Sequence, residues 1–290
     1  MKNRVESVTG AEIVSAEALS SGASGEATAV TLADGRRLVV KTSRSRGTPD
    51  PGDASPSGLA LEGWMLAYLA ERSDLPVPRV HLAEPDLLVM DRVPGRTGAR
   101  GDAELDAAEH LARLHSVTSD RFGLERDTLI GGLPQSNAER DSWIEFFRDE
   151  RLLDLSRQCV NAGQAPPKLL DRVRRLGDKL PRLIDEPDAP ALLHGDVWGG
   201  NVLSDGGRVT GFIDPAIYYG HPEIELAFTA LFSTFTQGFY DRYHQLRPIR
   251  NGFFEERADL YNLYPLLVHT RLFGGSYLAQ VERTLSRYGV

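Results

Sequence analysis

Between residues 13 and 42, short apolar runs alternate with polar positions and are cut by turn chemistry, first at 20–25 (Ser-Ser-Gly-Ala-Ser-Gly) and then at Asp34-Gly35. Period-two alternation with glycine-bearing breaks predicts three antiparallel strands. Residues 44–58, rich in Ser, Pro, Gly and Asp, read as a mobile loop. A helix over 59–71 follows, with Leu61, Met65, Leu66 and Leu69 as its apolar positions. Pro76-Val77-Pro78 and the apolar run 86–90 read as two further strands, with Pro94-Gly95 behind them as a hinge.

Beyond the hinge the periodicity lengthens, and 103–117, 142–159, 168–183, 223–243 and 254–288 all read chiefly as helix. One interruption stands out. Residues 201–204 and 208–213 are strand-like and flank Asp205-Gly206-Gly207, which predicts a hairpin. The pattern is α+β and bilobal: a small antiparallel-sheet lobe over 1–93, then a larger, mainly helical lobe over 94–290.

The hairpin organises the candidate chemistry. His194-Gly195-Asp196-Val197-Trp198-Gly199-Gly200-Asn201 runs into its first strand and Ile213-Asp214-Pro215 leaves its second. Closing the hairpin brings Asn201 to Asp214, and the glycine-rich stretch lets Asp196 fold back toward both. Two carboxylates and an amide are hard oxygen groups suited to Mg²⁺ and substrate phosphates. That is the logic of phosphoryl transfer, with Asp196 orienting the attacking hydroxyl and Asn201 and Asp214 holding the metal. A loose transition state lets an unperturbed Asp, with a pKa of ~3.9, serve as the base. His194 reads as a buried brace for the loop. The competing reading of the whole set is ordinary turns with solvated carboxylates.

An ATP site also needs a cation and a loop that approaches the phosphates closely. Lysine occurs only at positions 2, 41, 168 and 179, so Lys41 at the end of an apolar strand is the candidate phosphate contact. Glu62 on the next helix is its candidate partner, a solvated helix glutamate being the alternative. Gly22 and Ser24 lie in the loop expected over the phosphates.

Composition narrows the partners. At 290 residues and 41% hydrophobic the chain can bury a large core, and a net charge of −8 offers no basic field for nucleic acid or an anionic membrane. Cys159 is the only cysteine, which excludes an intrachain disulfide and fits a reducing, cytoplasmic setting. No run approaches ~20 apolar residues and no secretion signal is visible at the start. Oligomeric state is not legible.

With these residues in view, the chain resembles the fructosamine kinases, or ketosamine 3-kinases, within the wider aminoglycoside-phosphotransferase and choline-kinase group of protein-kinase-like fold. The wider group shares the H-G-D-x4-N and I-D elements. Trp198 and the run Asp214-Pro215-Ala216-Ile217-Tyr218-Tyr219-Gly220-His221 resemble the narrower family. Further similarity lies in Phe122-Gly123, Ile130-Gly131, Gln135, Asn137, Trp143, Phe146-Phe147, 260–264, His269 and Phe273-Gly274.

The resemblance implies ATP- and Mg²⁺-dependent phosphorylation of the sugar 3-hydroxyl of ketosamines, as small molecules or as glycated lysines on proteins, a deglycation activity. It makes Asp196 the base, Asn201 and Asp214 the metal ligands, and Lys41 and Glu62 the phosphate pair. Trp198 is set against the ketosamine, with a core indole as the alternative, and Met90, Asp91 and Val93 present the backbone to adenine. Pro222-Glu223 and Glu225 depart from a common Arg-Glu and Asp, and Thr128 stands where asparagine is frequent. Some relatives carry a redox-switch cysteine in the phosphate loop; residues 20–26 have none, so that regulation is not expected here. A kinase for an aminoglycoside, a choline-like amine or another small alcohol is the second reading, and a non-catalytic nucleotide-binding protein the third.

Overall fold

The computed structural model describes residues 1–19, 26–43 and 58–290. After a short helix α1 (Lys2–Thr9), the strands β1 (Ile13–Ala18), β2 (Glu26–Leu32) and β3 (Arg37–Thr42) form an antiparallel meander. Helix α2 (Gly58–Arg72) follows, and β4 (Val80–Glu84) and β5 (Leu87–Asp91) complete a five-stranded sheet in the order β1-β2-β3-β5-β4. Alternation along the strands assigns the two faces. Leu38 and Val40 join Val5, Val30, Leu32, Leu87 and Val89 in a core beneath α1, while Leu88 and Met90 pack with Leu59 and Leu66 of α2 on the other face. Lys41 falls on that second face by the same alternation, toward α2.

The strand expected at Pro76-Val77-Pro78 does not form; β4 begins after it, at Val80. Two prolines in three residues remove the N–H donors that a ladder needs. The segment instead bridges to the helical lobe, where Pro76 O accepts from Phe212 N at 2.7 Å. Residues 20–25 and 44–57, which include the expected phosphate loop, lie outside the described residues.

The chain crosses between lobes through β6 (Arg96–Thr97), which pairs with a strand of the predicted hairpin. Gly95 has φ +105 and lies against the Ser204 carbonyl, a close approach that leaves no room for a Cβ. Helix α3 (Asp102–Leu114), the small hairpin β7 (Thr128–Ile130) and β8 (Leu133–Gln135), and helices α4 (Trp143–Phe146), α5 (Asp154–Asn161) and α6 (Lys168–Gly177) follow. A π-helical stretch joins α4 to α5 without a break, so the helix expected over 142–159 is one rod with a bulge.

Next come β9 (Ala191–Leu193), the hairpin β10 (Val202–Asp205) and β11 (Arg208–Phe212), and β12 (Tyr218–Gly220), which pairs back with β9. The segment 223–243, predicted to be chiefly helical, carries α7 (Pro222–Leu231) and α8 (Gln237–Leu246), with Ser233 at φ 49 between them. The segment 254–288 is chiefly helical, as its pattern predicts, in α9 (Ala258–Tyr261), α10 (Leu263–Phe273) and α11 (Ser276–Arg287), with a break at Gly274-Gly275, both with positive φ. One continuous core, centred on Trp143, Phe146, Phe147 and Tyr261, fills the helical lobe. None of the described helices is long and apolar enough to cross a membrane.

Candidate active site

Between the two lobes lies a cleft of about 850 Å³ whose lining includes Lys41, Glu62, Met90, Asp91, Val93, Asp196, Trp198, Asn201 and Asp214. The hairpin works as its spacing suggests. Val202 pairs with Phe212, and Ile213 N donates to Asn201 O at 3.0 Å, so Asn201 and Asp214 leave the β10–β11 ladder side by side. Asn201 Nδ2 donates to Asp196 Oδ2 at 2.9 Å and to the Asp196 carbonyl at 3.0 Å, which draws the carboxylate back over the hairpin mouth. Gly195 makes the return possible. Its φ is +86, and a Cβ there would collide with the Ala216 carbonyl, where the loop before Asp196 crosses the segment after Asp214. Ala216 N donates to His194 O at 2.8 Å and locks the crossing.

Asp214 itself has φ 53, left-handed and strained for a residue with a Cβ. Such a conformation costs ~1–3 kcal/mol and persists where the surroundings fix it. Its Oδ1 lies 2.5 Å from Lys41 Nζ, and Lys41 Nζ lies 2.7 Å from Glu62 Oε1. Glu62 is buried on the inner face of α2, so it is no solvated helix glutamate. Burial works against the Lys41 charge, but the Glu62 and Asp214 carboxylates outweigh it and its pKa rises. Burial pushes Glu62 up, with Lys41 opposing.

Asp196 departs from the ordinary carboxyl expected of it. Burial at the floor of the cleft and then the neighbouring Asp214 carboxylate push it up to about 8, against the lowering effect of the Asn201 amide. An unperturbed value would require an exposed carboxylate far from other charge, and the crossing loops provide neither condition.

Beneath this loop sits a residue that sequence reasoning noticed only as a departure. Glu225 on α7 is buried; it accepts from Gly195 N at 2.5 Å and His194 N at 3.3 Å, and it contacts His115 Nε2 at 2.9 Å. Burial opposes its ionisation, but the His115 hydrogen bond and charge, with the nearby backbone donors, hold its carboxyl below the usual range. The available signal was a pair of glutamates at the start of an otherwise apolar helix, Pro222-Glu223-Ile224-Glu225-Leu226-Ala227-Phe228. Glu223 is likewise committed, to Arg257 at 2.7 Å. His194 is fully buried, and its pKa is lowered by burial; its Nδ1 accepts from Asp196 N at 3.3 Å. It braces the loop.

Thr128 also has a defined place. Its hydroxyl accepts from Gln135 Nε2 and Asn137 Nδ2 and donates to Ile217 O, while Gln135 Nε2 also holds Ala216 O at 3.0 Å. The segment after Asp214 is thus fixed from below by β7 and β8.

Trp198 is 44% exposed and lies over the Gly200 backbone at the cleft, which excludes the core-indole reading. Along the hinge, Asp91 N donates to Arg79 O and Arg92 N to Arg37 O, whereas Val93 N–H has no partner among the described residues. Val93 is also part of the cleft lining. Gly22 and Ser24 lie outside the described residues.

The donor set fits a magnesium ion. Among the described residues no cluster of three or more His, Cys, Asp or Glu is built to cage a metal. One amide and one carboxylate at a cleft is what Mg²⁺ takes when phosphates and water complete its shell.

A family model described as fructosamine kinase matches residues 3–289. A Synechocystis protein assigned as a ketoamine kinase is 40% identical over 62% of this chain and 60% of its own length, so the alignment spans less than two thirds of that relative. The chloroplastic protein-ribulosamine 3-kinase of Arabidopsis thaliana is 31% identical over 88% of this chain and 77% of its own. A crystal structure assigned as a fructosamine-3-kinase from Thermobifida fusca superposes with a TM-score of 0.84 at 32% identity, covering 99% of this chain and 97% of that one. Solved macrolide and aminoglycoside phosphotransferases, at 15% and 18% identity with TM-scores of 0.62 and 0.60, share the protein-kinase-like fold alone.

Proposed function

The chain belongs to the fructosamine kinase family, and from that premise we propose that it transfers the γ-phosphoryl group of ATP to the 3-hydroxyl of ketosamines of the fructosamine or ribulosamine type. The observation that carries this reading is the convergence of Lys41, Asp196, Asn201 and Asp214 on one cleft. The sheet lobe, 1–93, is the nucleotide side, with Val93 N–H toward adenine beside Met90 and Asp91 and with Gly22 and Ser24 over the phosphates. The lobe 94–290 supplies the acceptor side.

Lys41 binds phosphate oxygens, held by Glu62. Asn201 and Asp214 are the magnesium ligands, and the bound ion supplies charge neutralisation on the phosphates. Asp196 in its ionised form, which its raised carboxyl populates as pH approaches about 8, orients the 3-hydroxyl and takes its proton as the oxygen attacks; ADP leaves with the electrons of the broken P–O bond. The Asn201 amide holds the Asp196 carboxylate in place for that step. Trp198 offers an indole face to the ketosamine. The phosphorylated adduct is the route to deglycation, on small amines or protein lysines, in the cytoplasm.

The test is ADP release from Mg²⁺-ATP with fructose- and ribulose-derived amines, alongside an aminoglycoside and choline. Turnover with the ketosamines alone is expected. Turnover with only the aminoglycoside or choline would overturn the assignment.

A further inference from the structure

The acceptor side of the cleft continues past Asp196 into a chamber that the phosphoryl-transfer residues do not use. Its walls are Phe228 from α7 and Phe232 at that helix's C-terminal cap, Val268, Leu272 and Phe273 from α10, and Leu129 from β7. The rings form a chain, with Phe228 and Phe232 centred 5.0 Å apart, Phe232 and His269 5.0 Å, and His269 and Phe273 5.7 Å. Phe273 is 67% exposed and marks the outer rim.

Position along α7 relates the chamber to the chemistry. Glu225, which holds the Gly195 N–H, is the helix residue at the catalytic loop. Phe228 is three residues further along α7, about 4.5 Å along the axis at 1.5 Å per residue, and Phe232 caps the helix beyond it. In a ketosamine the amine nitrogen is four bonds from the 3-hydroxyl oxygen, about 5 Å at ~1.5 Å per bond. Asp196 and these aromatic residues line one cleft; that reach is comparable to the spacing along α7 from the Glu225 position to Phe228, and a substituent on the nitrogen extends beyond it.

The chamber's chemistry is one-sided. Lys41 and Arg92 are the only lysine and arginine lining the cleft among the described residues, and both belong to the nucleotide side. His269 Nδ1–H donates to Pro265 O at 2.8 Å, and burial lowers the ring's pKa, disfavouring its charged form. Glu225 is fully engaged by backbone donors and His115. A carboxylate entering this space would find no cation, whereas a carbon chain or ring would gain apolar contact.

Resting on the ketosamine kinase reading above, we propose that this chamber is the amine subsite and selects ketosamines whose nitrogen carries an uncharged alkyl or aryl group over those formed from the α-amine of an amino acid.

One ketose is condensed with benzylamine and, separately, with glycine, and kcat/KM is measured for both adducts on the full chain with Mg²⁺-ATP. The benzylamine adduct should lead by about tenfold or more, mainly through KM. Phe232→Ala should shrink that ratio at least severalfold. Phe273→Arg, at an exposed position where folding is not at stake, should move preference toward the glycine adduct by placing a cation at the rim. Equal kcat/KM for the two adducts, or a ratio unmoved by both substitutions, overturns the amine subsite and leaves the kinase reading standing. Failure to phosphorylate either adduct, or any other ketosamine, overturns the kinase reading and this inference with it.

Discussion

Lys41 and Asp214 meet at 2.5 Å, yet the two regions that bring them there work by different means. On the sheet side, regular structure does the positioning. Strand alternation turns Lys41 toward α2, helical spacing turns Glu62 toward the sheet, and the pair closes at 2.7 Å with apolar neighbours on both elements. On the helical side the residues proposed for the chemistry sit on irregular backbone. Gly195 and Asp214 both have positive φ, the two loops cross at Ala216, and buried polar groups beneath them supply the support that a ladder would supply elsewhere. Regular elements tolerate the loss of one contact because many parallel ones remain. A crossing loop hung on a few buried hydrogen bonds does not.

The largest effect should come from the residue that only the irregular side can place. Asp196→Asn keeps the shape and the contact with Asn201 but removes the proton acceptor, and it should lower kcat by roughly 10²–10⁴-fold. Nucleotide affinity, read by ADP titration, should stay near the wild-type value. Unchanged turnover in this variant would remove Asp196 from the chemistry and end the proposed division of labour between the lobes.

Two glutamine substitutions then compare the supports directly. Glu225→Gln leaves one acceptor where Gly195 N–H, His194 N–H and His115 now share a carboxylate. Displacing Asp196 by a fraction of an ångström should cost kcat about 10–100-fold while the dissociation constant for ADP changes little. Glu62→Gln weakens a charge-assisted bond worth roughly 1.5–3 kcal/mol and should instead raise KM for ATP by about tenfold or more. If both variants changed the same kinetic parameter by the same amount, the contrast between a nucleotide support and a catalytic-loop support would fail.

The same contrast explains what the sequence makes legible. β3, α2 and the β10–β11 hairpin follow from period and turn chemistry, and with them the meeting of Lys41 with Glu62 and of Asn201 with Asp214. The Pro76-Val77-Pro78 strand is misread because apolar content masks the missing N–H donors. Glu225 is the instructive case. It acts on a residue 30 positions away, through a contact made only after α7 packs under the loop, and no local period encodes that. The raised Asp196 carboxyl is illegible for the same reason, since its pKa depends on which charges the fold brings near.

That carboxyl gives the smallest predicted effect. In the folded protein without ligand Asp196 titrates near 8, against about 3.8 for an ordinary Asp, because burial and Asp214 penalise its charged form. Between these values the unfolded chain has released the proton that the folded chain retains, so stability from this group is present in full below about 4 and is lost as pH rises toward 8. The neutral amide of the Asp196→Asn protein carries no such liability. The variant should therefore melt above wild type at pH 8, by about 2–6 °C if one to two kcal/mol are recovered, and the gap should close as pH falls toward 4. Burial raises Glu62 as well, but its carboxylate shares the buried Lys41 charge with Asp214, so Glu62→Gln leaves that charge under-compensated and should lower the melting temperature at pH 8 instead. Thermal melts of the three proteins across that range separate a group placed at the expense of stability from one whose pairing supports it. If Asp196→Asn melted below wild type at pH 8, the account of Asp196 as a carboxyl held in an unfavourable place would be wrong.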